Sequence, residues 1–271
     1  MTRVALVTGS TDGIGKATAR ALAAGGMKVL LHGRSKVKVD KAIEWLLGEL
    51  PGAQVEGVAF DLGNLTAVRK GAEQILARVP ELHVLVNNAG IFATERVLTE
   101  DGIELTLAVN HVGPFLLTEL LAPRLIASAA TAASRVVNVA SVAGTRGRLH
   151  LQDLTLANGY TGYAAYARSK LANIMHAMSL AEHHDPEKLV GYSLHPGVVG
   201  TKLLREGFGP VQGMKVDAGA KASVRLAAEE VLTAKPGAFF NDGVEQQAPQ
   251  AARDAGERAQ LWDTTKRLAK L

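Results

Sequence analysis

Tyr166 and Lys170 are the residues whose types and spacing point most directly to chemistry. They stand four positions apart in a segment with helical periodicity, so both side chains lie on one face of the expected helix. Tyrosine ordinarily has a pKa near 10, and it exchanges protons at neutral pH only where a cation stabilises the phenolate. We expect Lys170 to supply that charge and to lower the Tyr166 pKa, a change worth roughly 3 to 4 kcal/mol. Tyr166 is therefore a candidate general acid or base.

A tyrosine and a lysine at this spacing are common on helices, and most such pairs are ordinary neighbours in solvent. The other tyrosines of this region do not repeat the pair, because Tyr160 and Tyr163 are followed four residues later by Ala164 and Ala167. The pair becomes a candidate site only in combination with a second feature near the start of the chain.

That second feature is a glycine-rich turn, residues 8–15, which follows the apolar run 4–7 and leads into a helical pattern. Glycines allow the backbone to turn tightly and to approach a pyrophosphate at the N-terminus of a helix. The same glycines could serve only a tight turn. Their position between the first strand and the first helix predicts a dinucleotide site.

The elements that position these residues alternate along the chain. Short apolar runs rich in valine and leucine predict strands at 4–7, 29–31, 55–60, 84–86, 136–139 and 190–194, with a further short strand near 238–241. Helical periodicity predicts helices at 14–24, 38–50, 65–79, 102–127, 166–183, 218–232 and 253–268. The alternation predicts an α/β fold, a doubly wound parallel sheet of the Rossmann type with helices on both faces, in a single domain over 1–271.

The three residues between Gly9 and Gly13 give a glycine spacing that resembles the short-chain dehydrogenase/reductase family. Matches to the family's other motifs cover nearly the whole chain: Asp61-Leu62, Asn87-Asn88-Ala89-Gly90, Asn110, Ser141, Tyr166-Ala167-Arg168-Ser169-Lys170, and Pro196-Gly197 with Thr201. The resemblance implies an oxidoreductase that moves a hydride between a nicotinamide cofactor and a CH–OH or C=O group. Tyr166 would be the general acid in reduction and the general base in oxidation.

The resemblance also implies a role for individual residues. It implies a catalytic tetrad of Asn110, Ser141, Tyr166 and Lys170, with no metal. The implied cofactor site consists of Gly9, Ser10, Thr11, Gly13, Ile14, Gly15, Arg34, Ser35, Asp61, Leu62, Asn88, Ala89, Gly90, Asn110, Tyr166, Lys170, Pro196, Gly197, Val199 and Thr201. Ser141 would hydrogen-bond the substrate oxygen, although a serine after a buried strand is also often a helix cap. The resemblance alone implies that Asn110 holds a relay water behind Lys170.

The end of the second predicted strand reads His32-Gly33-Arg34-Ser35, where a carboxylate would bind the ribose hydroxyls of NAD. No carboxylate is present there to repel a 2′-phosphate, and Arg34 can pair with that phosphate. The sequence therefore favours NADP(H) over NAD(H). The alternative is that Arg34 is an ordinary exposed loop residue.

Several longer segments are similar to the retinol dehydrogenase-like branch of the family. They are a long connection from Ser141 to Tyr166 that contains residues 148–154, together with residues 109–118, 169–173, 195–199 and 261–262. The branch implies a lipophilic alcohol or carbonyl substrate. We expect 148–154 and 203–214 to flank the nicotinamide pocket, with an apolar lining from Leu203, Leu204, Phe208, Val211 and Met214. Simple helix packing would explain the same residues.

Composition narrows the remaining function classes. The 271 residues include no cysteine, which excludes disulfides, thiolate nucleophiles and cysteine metal sites. His183-His184-Asp185 fits the C-terminus of a helix better than a metal site. The net charge of +4 is mild and its basic residues are scattered, so we expect no nucleic-acid partner.

The start of the chain bears on localisation. The first strand begins almost at Met1, and we expect no apolar stretch of the roughly 20 residues that cross a bilayer. We therefore expect a cytoplasmic protein with no signal peptide or transmembrane anchor. The family resemblance implies a homodimer or a homotetramer.

Two other functions stay open: an NAD-dependent alcohol dehydrogenase, and a dinucleotide-binding regulator that lacks catalysis. An intact tetrad favours the enzyme.

Overall fold

One sheet of eight strands forms the centre of the computed structural model, which describes residues 2–271. The strands are β1 Val4–Val7, β2 Lys28–Gly33, β3 Val55–Ala59, β4 Val84–Asn87, β5 Ser134–Val139, β6 Leu189–His195, β7 Phe239–Asn241 and β8 Val244–Gln246. Their order is β3-β2-β1-β4-β5-β6-β7-β8, and the first seven in the chain are mutually parallel. The order reverses between β1 and β4, which is where open α/β sheets bind ligands.

Helices cover both faces of this sheet, as the alternating pattern predicts. They are α1 Gly13–Ala24, α2 Lys36–Glu49, α3 Leu65–Arg78, α4 Leu105–Leu107, α5 Gly113–Ala127, α6 Gly162–His183, α7 Lys202–Phe208, α8 Val216–Ala228, α9 Gln250–Arg253 and α10 Ala255–Ala269. Along β1, Leu6 packs into the layer with α3, α5 and α6, whereas Ala5 and Val7 pack against α1, α2 and α8. Burial on both faces explains the continuous valine and leucine runs.

The edge strand β8 departs from the prediction of a parallel sheet, since it pairs antiparallel with β7. Asp242 and Gly243 form the two-residue turn between them, with φ angles of 50° and 80°. Positive φ at both positions is the requirement of a tight hairpin turn, and Asp-Gly is a typical sequence for it. The residues of β8 are exposed, so they carry no apolar pattern from which a strand could be predicted.

The helix predicted at 102–127 begins three residues later and is not regular. Glu104 ends the preceding loop, and its carboxylate accepts hydrogen bonds from the backbone N–H groups of Thr106 and Leu107, both at 2.8 Å. After α4, residues Ala108–Val112 form a π-helical turn that leads into α5. Such turns often occur at functional sites, and this one carries Asn110.

This helical segment also corrects the expectation about apolar stretches. The 23 residues Leu105–Ala127 are long and apolar enough, by length and composition, to cross a membrane, with a mean hydropathy of 1.3. In the fold, 78% of its most apolar window is buried by the surrounding protein. The segment is therefore a core helix in this fold. Length and apolar composition alone do not distinguish a buried core helix from a membrane-spanning one.

Histidines at the end of α6 join the C-terminal helix to the core. His184 donates its backbone N–H to the carbonyl of Leu180, as a residue that ends a helix does. The imidazole of His183 stacks on the Trp262 ring of α10, with ring centroids 3.8 Å apart. The predicted position at a helix end is correct, but the side chains pack against α10 rather than only capping α6.

Four further histidines are buried within residues 2–271, and three of them, His32, His111 and His176, are almost fully enclosed. Burial lowers the pKa of His32 and of His111 to about 4, and it lowers the pKa of His176 well below its ordinary value. Each is therefore neutral in the folded protein at neutral pH. The unfolded chain binds protons to these rings below about pH 6.5, so stability must fall as the pH falls from about 6.5 towards 4.

We predict a loss of about 2 kcal/mol of unfolding free energy for each of His32 and His111 between about pH 7 and about pH 5. Urea unfolding at about pH 7 and about pH 5 measures the loss. The His176→Leu variant should lose less stability between these pH values than the wild type, because it removes one titrating ring. Met175→Leu, a substitution at the neighbouring buried position, should keep the full pH dependence. Equal pH dependence in His176→Leu and Met175→Leu would contradict the prediction.

Candidate active site

A cavity of about 810 Å³ opens at the carboxyl ends of the parallel strands, at the reversal of strand order. Most of the predicted site residues line it. They are Gly9, Thr11, Gly13, Ile14, Arg34, Asp61, Leu62, Asn88, Ala89, Gly90, Ser141, Tyr166, Lys170, Pro196, Gly197, Val199 and Thr201. Residues as far apart in the sequence as Gly9 and Thr201 thus meet at one edge of the sheet.

The glycine-rich turn packs directly against the loop that follows β4. Gly9 has a φ of 63°, and a Cβ atom there would lie 2.8 Å from the Cα of Ala89. A Cβ at Gly15 would lie 2.4 Å from the carbonyl oxygen of Gly9 and 2.3 Å from the Asn88 amide. The absence of side chains at these glycines therefore lets two loops approach each other below the cavity. The cradle fits a dinucleotide, whose pyrophosphate needs close backbone approach at a helix N-terminus.

Two residues predicted to bind the cofactor hold this turn in place without lining the cavity. Gly15 faces the turn, as its short contacts show. Ser10 is fully buried, and its hydroxyl accepts a hydrogen bond from the backbone N–H of His32 at 2.8 Å. Ser10 and Gly15 are therefore turned towards neighbouring protein, and their contact with a cofactor stays a prediction.

His32 lines the cavity and was not predicted as a site residue. Its Nδ1 accepts a hydrogen bond from the backbone N–H of Gly9 at 3.3 Å, and its Nε2 lies 3.1 Å from the carbonyl oxygen of Phe60. A carbonyl can only accept, which places the imidazole proton on Nε2. His32 thus connects the glycine-rich turn to the end of β3. A polar residue near the end of a buried strand was the available sequence signal.

The region after β2 presents one cation to the cavity. The Arg34 side chain is 82% exposed, and its Nη1 lies 4.0 Å from the nearer carboxylate oxygen of Asp61. Asp61 also accepts a hydrogen bond from the backbone N–H of Gly63. Ser35 stands at the start of α2 and does not line the cavity, so its contact with a cofactor stays a prediction. Arg34 is therefore available to an anionic ligand at this end of the cavity.

Tyr166, Lys170 and Ser141 come together at the opposite end, and all three are buried. The Lys170 Nζ lies 5.5 Å from the centroid of the Tyr166 ring and donates a hydrogen bond to the Val139 carbonyl at 2.8 Å. Ser141 begins a 3₁₀ turn, Val142–Arg146, and its hydroxyl accepts from the Ala143 N–H at 3.2 Å. Ser141 is thus a cap as well as a neighbour of the tyrosine.

The expected lowering of the Tyr166 pKa is wrong for this structure. Burial raises the pKa of Tyr166 to about 12, and a hydrogen bond with Ser141 opposes that rise. Burial lowers the pKa of Lys170 to about 8, since the ammonium group also loses its hydration. The physical reason for the error is that desolvation of the phenolate outweighs the opposing hydrogen bond with Ser141. Tyr166 is consequently a phenol at neutral pH and can donate a proton.

Asn110 lies behind this group and does not line the cavity. Its Oδ1 accepts from the Ile91 N–H at 2.8 Å, and its Nδ2 donates to the Ile91 carbonyl and the Ser169 hydroxyl at 3.0 Å each. Gly90 fits between Asn110 and Lys170, because a Cβ atom there would lie 3.3 Å from the Lys170 Nζ. Asn110 therefore ties the π-helical turn to the loop after β4 and to α6.

Apolar side chains form the wall beside Tyr166. Leu203, Leu204, Phe208 and Val211 line the cavity as predicted, with Leu203, Leu204 and Phe208 on α7. The Phe92 ring packs against both Tyr166 and Phe208, with ring centroids 5.6 and 5.3 Å away, and those two rings also contact each other at 5.7 Å. This wall suits an apolar ligand.

Met214 and residues 148–154 do not line the cavity, contrary to the prediction. Met214 instead pairs with Val199 and contacts Gly197 from outside. In the long connection, Leu149, Leu151 and Leu154 pack against the main apolar core. The connection reaches the cavity at its first residues, among them Thr145 and Arg146, and at Tyr163 near its end.

The chain matches known proteins over most of its length. The sequence model of the family described as short chain dehydrogenase matches residues 3–209. Human dehydrogenase/reductase SDR family member 13 is 38% identical over 282 residues, covering 99% of this chain and 74% of that protein. Human retinol dehydrogenase 12 is 35% identical over 272 residues, covering 97% and 85%. The crystal structure of an uncharacterised protein from Mycobacterium paratuberculosis has a TM-score of 0.80 and 32% identity, covering 99% and 93%. The retinol dehydrogenase-like resemblance is thereby confirmed.

We predict that Gly15→Ala weakens both the fold and its affinity for NADPH, because the new Cβ must displace the Gly9 carbonyl. The expected cost is about 1 to 3 kcal/mol of unfolding free energy and at least about a tenfold rise in the NADPH dissociation constant. Gly48→Ala is the matched control, since a Cβ there meets nothing within 4 Å. It should stabilise α2 by about 0.5 to 1 kcal/mol and leave NADPH binding unchanged. Urea unfolding and fluorescence titration measure the two effects, and wild-type values in Gly15→Ala would refute the proposed cradle.

Proposed function

The chain belongs to the short-chain dehydrogenase family, and on that premise we propose that it is an NADP(H)-dependent enzyme that interconverts an apolar ketone or aldehyde and its alcohol. Family membership makes the protein an oxidoreductase that uses a nicotinamide dinucleotide and acts on CH–OH or C=O groups of small molecules. The observation that carries the finer proposal is the buried Tyr166 phenol beside Lys170 and Ser141, at the apolar end of the cavity.

The residues at the other end are arranged to hold the cofactor. Gly9 and Gly13 bring backbone to the cavity surface at the start of α1, where a pyrophosphate is favoured by the helix dipole. Arg34 would bind the adenosine end. The bound cofactor would supply the hydride for carbonyl reduction from its nicotinamide ring.

Tyr166 would donate the proton in carbonyl reduction. Its pKa of about 12 keeps the phenol protonated at neutral pH, which is the form that a proton donor requires. The Ser141 hydroxyl would donate a hydrogen bond to the same substrate oxygen and stabilise the negative charge that develops there. In the opposite direction Tyr166 would act as the base, and its high pKa makes that direction favour higher pH.

Lys170 and Asn110 would restore the proton on Tyr166. With a pKa of about 8, Lys170 exchanges protons close to physiological pH more readily than an exposed lysine does. We assign Asn110 the position that holds a relay water behind Lys170, as the family resemblance implies. Its own amide is fixed by Ile91 and Ser169, which makes its orientation rigid.

The apolar substrate class is supported by the wall that Phe92, Leu203 and Phe208 build around Tyr166. Aromatic and aliphatic side chains offer few hydrogen bonds to a polar substrate, so polar substrates would bind there with unpaired groups. Human retinol dehydrogenase 12, whose match covers 97% of this chain, has a name that is consistent with such a substrate.

We predict that Tyr166→Phe lowers kcat for reduction of an apolar aldehyde by at least about a hundredfold, since it removes the proton donor. Loss of NADPH absorbance measures turnover, and fluorescence titration measures NADPH binding. NADPH binding should change by less than about threefold, which separates catalysis from cofactor affinity. The matched control is Tyr163→Phe, which removes a phenol hydroxyl from the same face of the cavity and should keep wild-type turnover. Full activity in Tyr166→Phe would contradict the mechanism.

We predict that Arg34→Glu lowers the ratio of kcat/KM for NADPH to kcat/KM for NADH by at least about tenfold, because it replaces a phosphate partner with a repelling charge. Lys36→Glu makes the same charge change nearby, where Lys36 pairs with Asp40 at 2.6 Å, and it should alter the ratio by less than about twofold. A wild-type enzyme that prefers NADH, or an Arg34→Glu variant with an unchanged ratio, would refute the NADP(H) assignment.

A further inference from the structure

Arg146 is a cation on the cavity wall that the proposed mechanism does not use. Its side chain lines the cavity and the residue is exposed. Within residues 2–271, no ion pair includes Arg146. A guanidinium group is a permanent cation with N–H donors in a planar fork, and this shape matches the oxygens of a carboxylate. An arginine without an ionic partner on a cavity wall is therefore a candidate contact for an anionic part of a ligand.

The turn that carries this arginine is fixed beside the reacting groups. It is the 3₁₀ turn Val142–Arg146, which directly follows Ser141. A Cβ atom at Gly144 would lie 2.9 Å from the backbone nitrogen of Leu171, so the turn packs directly on α6. Tyr166 belongs to the same helix. The guanidinium group is thus attached to a backbone whose position relative to the phenol is set by packing.

The carboxylates of the cavity wall lie away from this turn. Among the residues that line the cavity they are Asp12 and Asp61. Asp12 accepts a hydrogen bond from the backbone N–H of Gly13 at 2.8 Å, at the start of α1. Asp61 lies 4.0 Å from Arg34 at the end predicted to hold the adenosine. An anion bound at Arg146 would therefore not be repelled by a carboxylate of the surrounding wall.

Lys202, the other exposed cation near this part of the cavity, lies closer to the cofactor end. It follows Thr201, whose methyl group would lie 3.5 Å from a Cβ atom at Gly13, at the start of α1. A pyrophosphate at that helix N-terminus is the natural partner for a lysine there. The Lys202 Nζ also lies 3.5 Å from a Glu206 carboxylate oxygen, which offsets its charge. Arg146 is therefore the cation that remains for a substrate.

Apolar side chains continue from the phenol to the mouth of the cavity. The Phe208 ring lies 5.7 Å from the Tyr166 ring and 6.4 Å from the Tyr163 ring, measured between centroids. Val142, Tyr163 and Phe208 all line the cavity and are 37% to 42% exposed, so this wall reaches solvent. A ligand that extends from the phenol to the mouth would have an apolar body along this wall.

We propose that the substrate is an aldehyde or ketone with an apolar chain and a carboxylate remote from the carbonyl group, and that Arg146 binds this carboxylate. The proposal rests on the proposed function only for the reaction at the carbonyl group. The carbonyl would lie at Tyr166 and Ser141, and the carboxylate would accept bidentate hydrogen bonds from the guanidinium group. A phosphate ester carries nearly twice the negative charge, so a single arginine matches it less well.

Steady-state kinetics with ω-oxo carboxylic acids of increasing chain length tests the assignment. Each acid is compared with its own methyl ester, which has the same aldehyde and chain but no charge. For the wild type with NADPH, we expect kcat/KM to be at least about fivefold higher for the acid than for the ester at the best-fitting chain length. Added salt should lower this ratio. In Arg146→Gln the ratio should fall below about twofold.

Arg148→Gln is the matched control for the loss of charge. Arg148 is exposed two positions later and does not line the cavity, so this variant should keep the wild-type ratio. No acid preference in the wild type, a preference that survives in Arg146→Gln, or equal losses in both variants would overturn the proposal. The NADPH dissociation constant of Arg146→Gln should change by less than about twofold. A rise of at least about tenfold would place Arg146 at the cofactor and would also overturn the proposal.

Calorimetric titration of the NADPH complex with an alkyl carboxylate and its methyl ester measures the same contact without turnover. The wild type should bind the carboxylate at least about fivefold more tightly than the ester, and Arg146→Gln should not. If this difference is found but no aldehyde is reduced, the proposed function fails and the carboxylate site stands. If methyl esters are reduced but no difference is found, the proposed function stands and the carboxylate site fails. An alkyl phosphate that binds at least about tenfold more tightly than the carboxylate would also overturn the proposal.

Discussion

The site depends on one constraint. A lysine ammonium group is buried beside a tyrosine, without a carboxylate between them. Lys170 keeps one hydrogen bond to the Val139 carbonyl, at the end of a central strand. Taking this charge out of water is costly, which is why its pKa falls to about 8. The position is maintained by the elements around it: the strand end, the helix that carries both residues, and a glycine at 90 that leaves room for the ammonium group. Changes to any of these elements alter the environment of the reactive phenol.

The same burial governs the chemistry that we propose for the site. Because the pKa of Tyr166 is about 12, the phenol is protonated at neutral pH, which is the form that the proposed carbonyl reduction requires. Phe92 and Phe208 pack against this phenol and keep its surroundings apolar. In the proposed mechanism, substrate class and proton transfer would therefore depend on one feature, the low polarity of this end of the cavity. The glycine-rich end, where the start of α1 reaches the cavity, suits an anionic cofactor.

Features that depend on local pattern were predictable from the sequence, and features that depend on burial were not. Valine and leucine runs identified the parallel strands, and the spacing of Gly9, Gly13, Tyr166 and Lys170 identified the residues that meet at the strand ends. The direction of the Tyr166 pKa shift was wrong, because residue spacing shows that a lysine is near but not how much water both groups lose. The sequence likewise did not show the orientation of Ser10, because tertiary contacts turn its side chain towards His32. The long connection carries its own apolar residues into the core, which its position between two strand ends did not reveal.

The transfer of deuterium from NADPH to the product tests the central claim most directly. NADPH that carries deuterium at both positions of nicotinamide C4 would be incubated with the protein and an apolar aldehyde, and the alcohol would be examined by mass spectrometry. The account predicts an alcohol with a single deuterium on the carbinol carbon, formed only when the protein is present. Protein-dependent alcohol without deuterium, or no alcohol from any apolar aldehyde or ketone in a broad panel, would contradict it.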